Sequence, residues 1–257
     1  MTGRLEGKVA IVTGAGRGLG RAIARRFAAE GAAIGALSLT PSGIDETVAL
    51  IQQDGGRAIG VRCDLGDTAS IRPSIEKVVE AFGTVDILVN NGHDVSVDSM
   101  TAPFESASVE QMMRQFTTGP IGSVVAMQAC FPYLKRKGGA VINVGSAVGV
   151  KGIAKFAPYA MAKEAIRAAT RVAAQEWGKF GITVNTVCPV ADTPGARTTI
   201  ASGVLGDLPP VTPPIARHGS SDDDIAPVFL FLASPDAQFM TGHTFMVDGG
   251  ITIDAGR

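Results

Sequence analysis

Thr13-Gly14-Ala15-Gly16-Arg17-Gly18-Leu19-Gly20 follows the β-branched run Val9-Ala10-Ile11-Val12 and opens into a stretch, Arg21 to Ala29, with apolar residues at helical spacing. Strand, glycine-rich turn and helix in that order decide the fold. Glycines are needed where a backbone turns sharply and comes close to a pyrophosphate, and the helix that follows offers free N–H groups and the positive end of its dipole. The flanking strand and helix separate this stretch from an isolated glycine cluster.

Outward from that turn, short strand-like runs alternate with helical patterns: Ile34 to Leu39, Ala58 to Arg62, Val85 to Val89, Ala140 to Val144, Ile182 to Val187 and Thr244 to Val247. Between them lie apolar residues at helical spacing, such as Ile75, Val78, Val79 and Phe82. This alternation predicts an α/β protein with a mainly parallel, doubly wound seven-stranded sheet flanked by helices. One domain spanning 1–257 accommodates it, with no internal repeat. The regular pattern fails at Thr193 to Gly219, where Pro194, Pro209, Pro210, Pro213 and Pro214 interrupt it. Helix resumes at Asp222 to Leu232, so the break, about 191–219, reads as a substrate lid rather than a linker.

Composition narrows the function classes. With 46% hydrophobic residues, 32 glycines and 5% aromatics among 257 residues, the chain suits tightly packed strand-helix units. A formal charge of −1 and no basic tract argue against nucleic acid as a partner. Cys63, Cys130 and Cys188 are too scattered for a disulfide framework or a metal knuckle, and His218 and His243 lack metal-ligand spacing, so no metal is expected. No stretch approaches the about eighteen apolar residues of a membrane span, and the reading is of a cytoplasmic protein without a membrane partner.

Tyr159 and Lys163 stand four residues apart in Pro158 to Trp177, a segment whose leading proline and alanines predict a helix. That spacing puts both side chains on one face. A cation beside a phenol favours the phenolate, and bringing a tyrosine from about 10 toward neutrality takes about 4 kcal/mol of such stabilisation. The phenol then serves as acid and base.

The spacing Gly-x-x-x-Gly-x-Gly resembles that of the classical short-chain dehydrogenase/reductase family, and the likeness extends over nearly the whole chain. Cys63-Asp64-Leu65 resembles the family's acidic residue after the third strand, Asn90-Asn91-Gly92 its Asn-Asn-Ala-Gly, and Val247-Asp248-Gly249-Gly250 its C-terminal signature. Ser146, thirteen residues before Tyr159, completes a Ser, Tyr, Lys set in the family's order and spacing. The resemblance implies a Rossmann fold and a nicotinamide cofactor. It also implies roles: Ser146 holds the substrate oxygen, Tyr159 transfers the proton, and Lys163 binds the nicotinamide ribose while depressing the tyrosine pKa. Asp64 would bond the adenine amine and Thr193 the nicotinamide carboxamide. The cofactor-binding candidates are Gly14, Arg17, Gly18, Leu19, Gly20, Ser38, Asp64, Leu65, Asn91, Lys163 and Thr193. At the end of the second strand an acid would accept from a ribose hydroxyl; this position is Ser38, and Arg17 is placed to pair with a 2′-phosphate, so NADP(H) is favoured over NAD(H).

The function implied is a carbonyl reductase or alcohol dehydrogenase acting on a small molecule. Two alternatives stand beside it: a nucleotide-binding sensor or scaffold with little turnover, and an epimerase or dehydratase that regenerates its cofactor. Helices at Ser108 to Lys135 and Tyr159 to Trp177 resemble those through which the family forms homodimers and homotetramers. The sequence also departs from the pattern. Gly119, followed by Pro120, stands where the family has an asparagine that anchors a relay water. A proline in a helix leaves a carbonyl four residues back, Phe116, without its donor. Either that carbonyl or a neighbour holds the water, or the pair merely bends a packing helix. His93, in a variable loop, is read as solvated and without chemistry.

Overall fold

β1 (Val9–Thr13) is buried along its whole length and divides its side chains between two layers. Ala10 and Val12 enter one apolar cluster, Val9 and Ile11 the other. A strand sends alternate residues to opposite faces, so an unbroken apolar run means a strand covered on both. The structure is a computed structural model that describes residues 3–204, 206 and 212–253.

Along the chain, β1 is followed by α1 (Gly18–Ala29), β2 (Ala33–Ser38), α2 (Pro41–Gln53), β3 (Arg57–Arg62), α3 (Thr68–Phe82) and β4 (Ile87–Asn90). Then come α4 (Val97–Met100), α5 (Val109–Phe116), a π turn (Thr117–Ile121), α6 (Gly122–Leu134), β5 (Gly139–Val144), α7 (Ala147–Lys151) and α8 (Ala157–Trp177). β6 (Ile182–Pro189), α9 (Pro194–Ala201), a second π turn (Ser221–Ile225), α10 (Ala226–Ala233) and β7 (Thr244–Val247) complete the order. The seven strands lie in the order β3-β2-β1-β4-β5-β6-β7, and every pairing is parallel. The doubly wound Rossmann sheet expected from the alternation is therefore present.

On one face, Ile23 and Phe27 of α1 pack with Phe229 and Leu230 of α10. On the other, Ile71 and Ile75 of α3, Met127 and Cys130 of α6, and Ala173 and Ala174 of α8 form the second cluster. All three cysteines are free and buried. Strand order reverses between β1 and β4, and in open parallel sheets ligands bind in the crevice beyond the strand ends at such a reversal. Thr13 and Asn90 mark those ends.

Two expectations need correction. The 108–135 helix is broken: a π turn over Thr117–Ile121 separates α5 from α6, with the Gly122 amide donating to the Thr117 carbonyl. Pro120 supplies no N–H, and a turn one residue wider re-registers the ladder around it. The 191–219 segment is not wholly irregular, since Pro194 opens α9 and Thr193 caps it, accepting from the Ala196 amide at 3.2 Å. Proline is compatible with a first helical turn, where its missing N–H goes unneeded. A bridge between Ala191 and Gly219 ties the two ends of the segment together. Pro209 and Pro210 lie outside the described residues.

Candidate functional site

At the switch point the glycine-rich turn is kept bare by contact. Gly14 has φ +66°, and a Cβ there would stand 2.8 Å from both Asn91 Nδ2 and Gly92 Cα. A Cβ on Gly20 would stand 2.3 Å from the Gly14 carbonyl oxygen. Gly18, with φ +53°, begins α1, whose first amides have no side-chain cap. Exposed backbone in front of an uncapped helix start fits a pyrophosphate. Leu19 is buried at that start.

Other candidates surround the turn. A Cβ on Gly16 would lie 3.0 Å from Ser38 Oγ, so Ser38 flanks the turn, and one on Gly18 would lie 3.9 Å from Thr193 Cβ. Arg17 is exposed without an ion-pair partner among the described residues, whereas Arg21 and Arg25 pair with Glu46 and Asp54. Asp64 accepts from the Gly66 amide through Oδ1 at 2.8 Å, fixing the carboxylate at the end of β3. Leu65 packs against Gly92, where a Cβ would stand 2.6 Å from its Cδ1. Asn91 donates its amide to the carbonyls of Thr13 and Gly14, at 2.9 and 3.3 Å, and so clamps β4 to β1.

Some supporting residues were not foreseen. Arg21 donates to the Gly16 carbonyl at 2.6 Å and to Thr47 Oγ1 at 3.0 Å, and Thr47 donates to the Ala15 carbonyl at 2.8 Å. This ties α2 to the glycine-rich turn. A buried chain of hydrogen bonds runs from Asn90 to Asn143 (2.8 Å), from Asn143 to Thr170 (2.9 Å), and from Thr186 to Thr170 (2.8 Å). It fixes α8 against β4, β5 and β6. The signal was present as asparagine and threonine within otherwise apolar strand runs, because buried polar groups must be paired.

Ser146, Tyr159 and Lys163 converge beyond the end of β5. Ser146 is the N-cap of α7, with Oγ accepting from the Val148 amide at 3.1 Å, which leaves its O–H to donate elsewhere. Tyr159 sits in the first turn of α8. Lys163, one turn on, is 3% exposed; its ammonium donates to the Val144 carbonyl at 2.9 Å and lies 5.5 Å from the centre of the Tyr159 ring. Burial lowers the Lys163 pKa to about 8. Burial raises Tyr159 to about 12, opposed by the neighbouring Ser146 hydroxyl. Burial thus works against the expected depression of the phenol. Loss of solvation is the dominant influence on the phenol.

His93 corrects the reading of that residue as a solvated side chain. Its ring stacks on Tyr159, with centroids 5.4 Å apart and planes 25° apart. Nε2 lies 3.1 Å from the Gln115 carbonyl, and Nδ1 is buried without a partner. A Cβ on Gly119 would stand 2.8 Å from His93 Nε2, so the imidazole fills the space in front of that glycine. The carbonyl engaged near the Gly119-Pro120 kink is therefore that of Gln115, the neighbour of Phe116, and it meets an imidazole. Burial and the Lys163 charge push the His93 pKa well below the usual histidine value. No group of three or more His, Cys, Asp or Glu able to hold a metal occurs among the described residues, and none of their helices is long and apolar enough to cross a membrane.

Comparison with known proteins agrees with this geometry. A family model described as "Enoyl-(Acyl carrier protein) reductase" matches residues 14–252. D-threitol dehydrogenase of Mycolicibacterium smegmatis is 33% identical over 97% of this chain and 95% of its own. A 12alpha-hydroxysteroid dehydrogenase from a Clostridium species is 32% identical over 97% of this chain and 98% of its own. The crystal structure of a short chain dehydrogenase from Burkholderia cenocepacia J2315 in complex with NADP has a TM-score of 0.87 at 32% identity, covering 96% of this chain and 99% of that one. A match that begins at the glycine-rich turn and runs past the C-terminal signature, with relatives at this identity over almost their full lengths, makes the chain a member of the classical short-chain dehydrogenase/reductase family of oxidoreductases.

Proposed function

We propose that the protein is an NADP(H)-dependent oxidoreductase interconverting a small alcohol and its ketone or aldehyde. The observation that carries this reading is the convergence of Ser146, Tyr159 and Lys163 on the sheet edge that also bears the bare glycine turn. A bound nicotinamide nucleotide supplies or takes the hydride. Gly14, Gly18, Leu19 and Gly20 would hold its pyrophosphate, Asp64 and Leu65 would flank the adenine, and Lys163 and Thr193 would meet the nicotinamide end. Asn91 contributes by holding the turn in shape.

The chain's own chemistry is proton handling at the substrate oxygen. Ser146 donates a hydrogen bond to it, and Tyr159 gives it a proton in reduction. A phenol held near 12 is fully protonated at neutral pH, so the protein's own groups prepare the acid that reduction requires. NADP(H) is favoured by the absence of a carboxylate at Ser38, by Arg17, which is exposed and has no ion-pair partner among the described residues, and by the start of α2, whose first turn carries no acid. A Cβ on Gly43, in that first turn, would stand 2.7 Å from the Gly16 carbonyl, so the positive helix end adjoins the glycine turn. The two curated relatives are both named as dehydrogenases of hydroxyl compounds, in keeping with a neutral alcohol as substrate class.

The test is nucleotide consumption with a panel of neutral ketones and aldehydes, run with NADPH and with NADH beside equilibrium binding of each. At least one carbonyl should be reduced with NADPH, and NADPH should bind more tightly. Tyr159→Phe should retain NADPH binding while turnover falls by about three orders of magnitude. Turnover by Tyr159→Phe at the parent rate refutes the chemistry, and equal binding of NADH refutes the cofactor assignment. Binding without oxidation across the panel favours a sensor or scaffold.

A further inference from the structure

Two buried side-chain acceptors without donors belong to the imidazole stacked on Tyr159 and to the residue whose backbone carbonyl that imidazole meets. One is His93 Nδ1 and the other Gln115 Oε1. Neither can find its donor by a simple flip. The Gln115 amide nitrogen is committed to the Asp94 carbonyl at 3.0 Å and to Ser99 Oγ at 2.6 Å, so its oxygen stays where it is. A carbonyl only accepts, so the contact between His93 Nε2 and the Gln115 carbonyl places the ring hydrogen on Nε2 and a lone pair on Nδ1. Buried acceptors of this kind are normally filled by a protein donor or an ordered water.

The surroundings select the donor. Titratable or charged groups near the ring are Tyr159 and Lys163 of α8, Asp94 in the same loop, and Arg114 of α5, which is paired with Asp94 at 2.5 Å. Lys163 donates one hydrogen to the Val144 carbonyl and has two more to give. Gly119 carries no side chain, and the imidazole occupies the space in front of it. The ring therefore takes the space that a side chain at 119 would enter.

We propose that His93 is a positioning residue for proton resupply: its Nδ1 holds a water that links the Lys163 ammonium to solvent. This rests on the dehydrogenase reading above. In reduction, Tyr159 loses its proton to the substrate oxygen, Lys163 returns one to the phenolate oxygen, and the held water returns one to Lys163. That water recovers its own proton from bulk solvent, so one proton enters for each that leaves with the product. His93 accepts a hydrogen bond throughout and stays neutral. Burial and the nearby ammonium, which keep its pKa far below the usual histidine value, suit that role and would not suit an imidazolium donor.

His93→Phe keeps the stacked ring and its volume while removing both nitrogens. Its kcat should fall about 100-fold with KM little changed, and its solvent deuterium isotope effect should rise. Gly119→Asn alone should collide with the ring and lower turnover. In a His93→Ala background the same asparagine should recover at least tenfold of the loss, since a polar group is returned to the space. Parent-like kcat in His93→Phe overturns the inference. So does the absence of recovery in the double variant when that protein still binds NADPH normally. A second readout needs no turnover: nitrogen NMR of histidine-labelled protein, assigned by loss of the signal in His93→Phe. His93 should show the neutral tautomer with hydrogen on Nε2 at pH values where an ordinary histidine is already protonated. A ring that titrates near its ordinary pKa, or carries its hydrogen on Nδ1, refutes the inference even if no substrate is ever found. Parent protein inert toward every carbonyl refutes the dehydrogenase reading and leaves the NMR result to decide this one.

Discussion

At Gly14 the chain holds φ at +66° with Asn91 and Gly92 pressed against the missing side chain. An alanine there meets two penalties, the left-handed backbone at about 1 to 2 kcal/mol and a Cβ 2.8 Å from neighbouring atoms. Gly14→Ala should therefore lose about 2 to 3 kcal/mol in urea denaturation and bind nucleotide much more weakly. A fully stable variant with parent affinity would show that the turn does not need its bare backbone. This position was readable from sequence because a strand before it and a helix after it leave few other uses for so many glycines. Ser146, Tyr159 and Lys163 were readable through order and spacing. His93 was not, because its partner is Gly119, twenty-six residues away, and an absent side chain leaves no mark on a periodicity. The phenol's pKa misled for a different reason. Spacing placed an ammonium one turn from the ring, but it contained no measure of how deeply both groups are buried.

Among the elements, strands were legible because both faces of this sheet are covered, which turns each strand into a short apolar run distinct from any helical period. β7 was placed at its observed bounds, and β2 and β3 within a residue or so. Helix breaks were harder. Gly119-Pro120 signalled a kink, yet propensity alone does not say whether a proline ends a helix, bends it or is absorbed by a π turn. The observed π turn leaves the Gln115 carbonyl facing His93. In an unbroken α-helix the amides at 119 and 120 would serve the carbonyls of Gln115 and Phe116. Pro120→Ala should therefore regularise the junction of α5 and α6 and leave the melting temperature unchanged or higher, since a helical proline costs up to about 3 kcal/mol. Turnover should nevertheless fall about tenfold as the Gln115 carbonyl turns back into the ladder and His93 loses its anchor. A lower melting temperature with turnover intact would mean that the proline serves packing alone.

For the molecule as a whole, the buried titratable groups set a limit on the alkaline side. Cys130 and Cys188 are raised from 9.0 to about 12 and about 11, Tyr159 from 10.0 to about 12, and Lys163 is lowered from 10.5 to about 8, each chiefly by burial. Below pH 8 all four hold the same protons folded and unfolded, so they add no slope to stability. Between about 8 and 9 the folded lysine gives up its proton while the unfolded one keeps it, and stability rises with pH. Above 9 the sign reverses. Both unfolded thiols ionise while the folded thiols remain neutral, the unfolded tyrosine joins them from 10, and the lysine's contribution fades by 10.5. Each net proton bound more tightly by the folded state lowers stability by about 1.4 kcal/mol per pH unit. Urea midpoints taken across the range should accordingly peak near pH 9 and drop steeply by pH 11. Cys130→Ala removes one of the groups responsible for the fall, so its slope above pH 9 should be shallower by about one proton, whatever its starting stability. An identical slope in that variant would mean that the thiol ionises as readily inside the second core layer as in the unfolded chain, in conflict with its complete burial between α6 and the sheet.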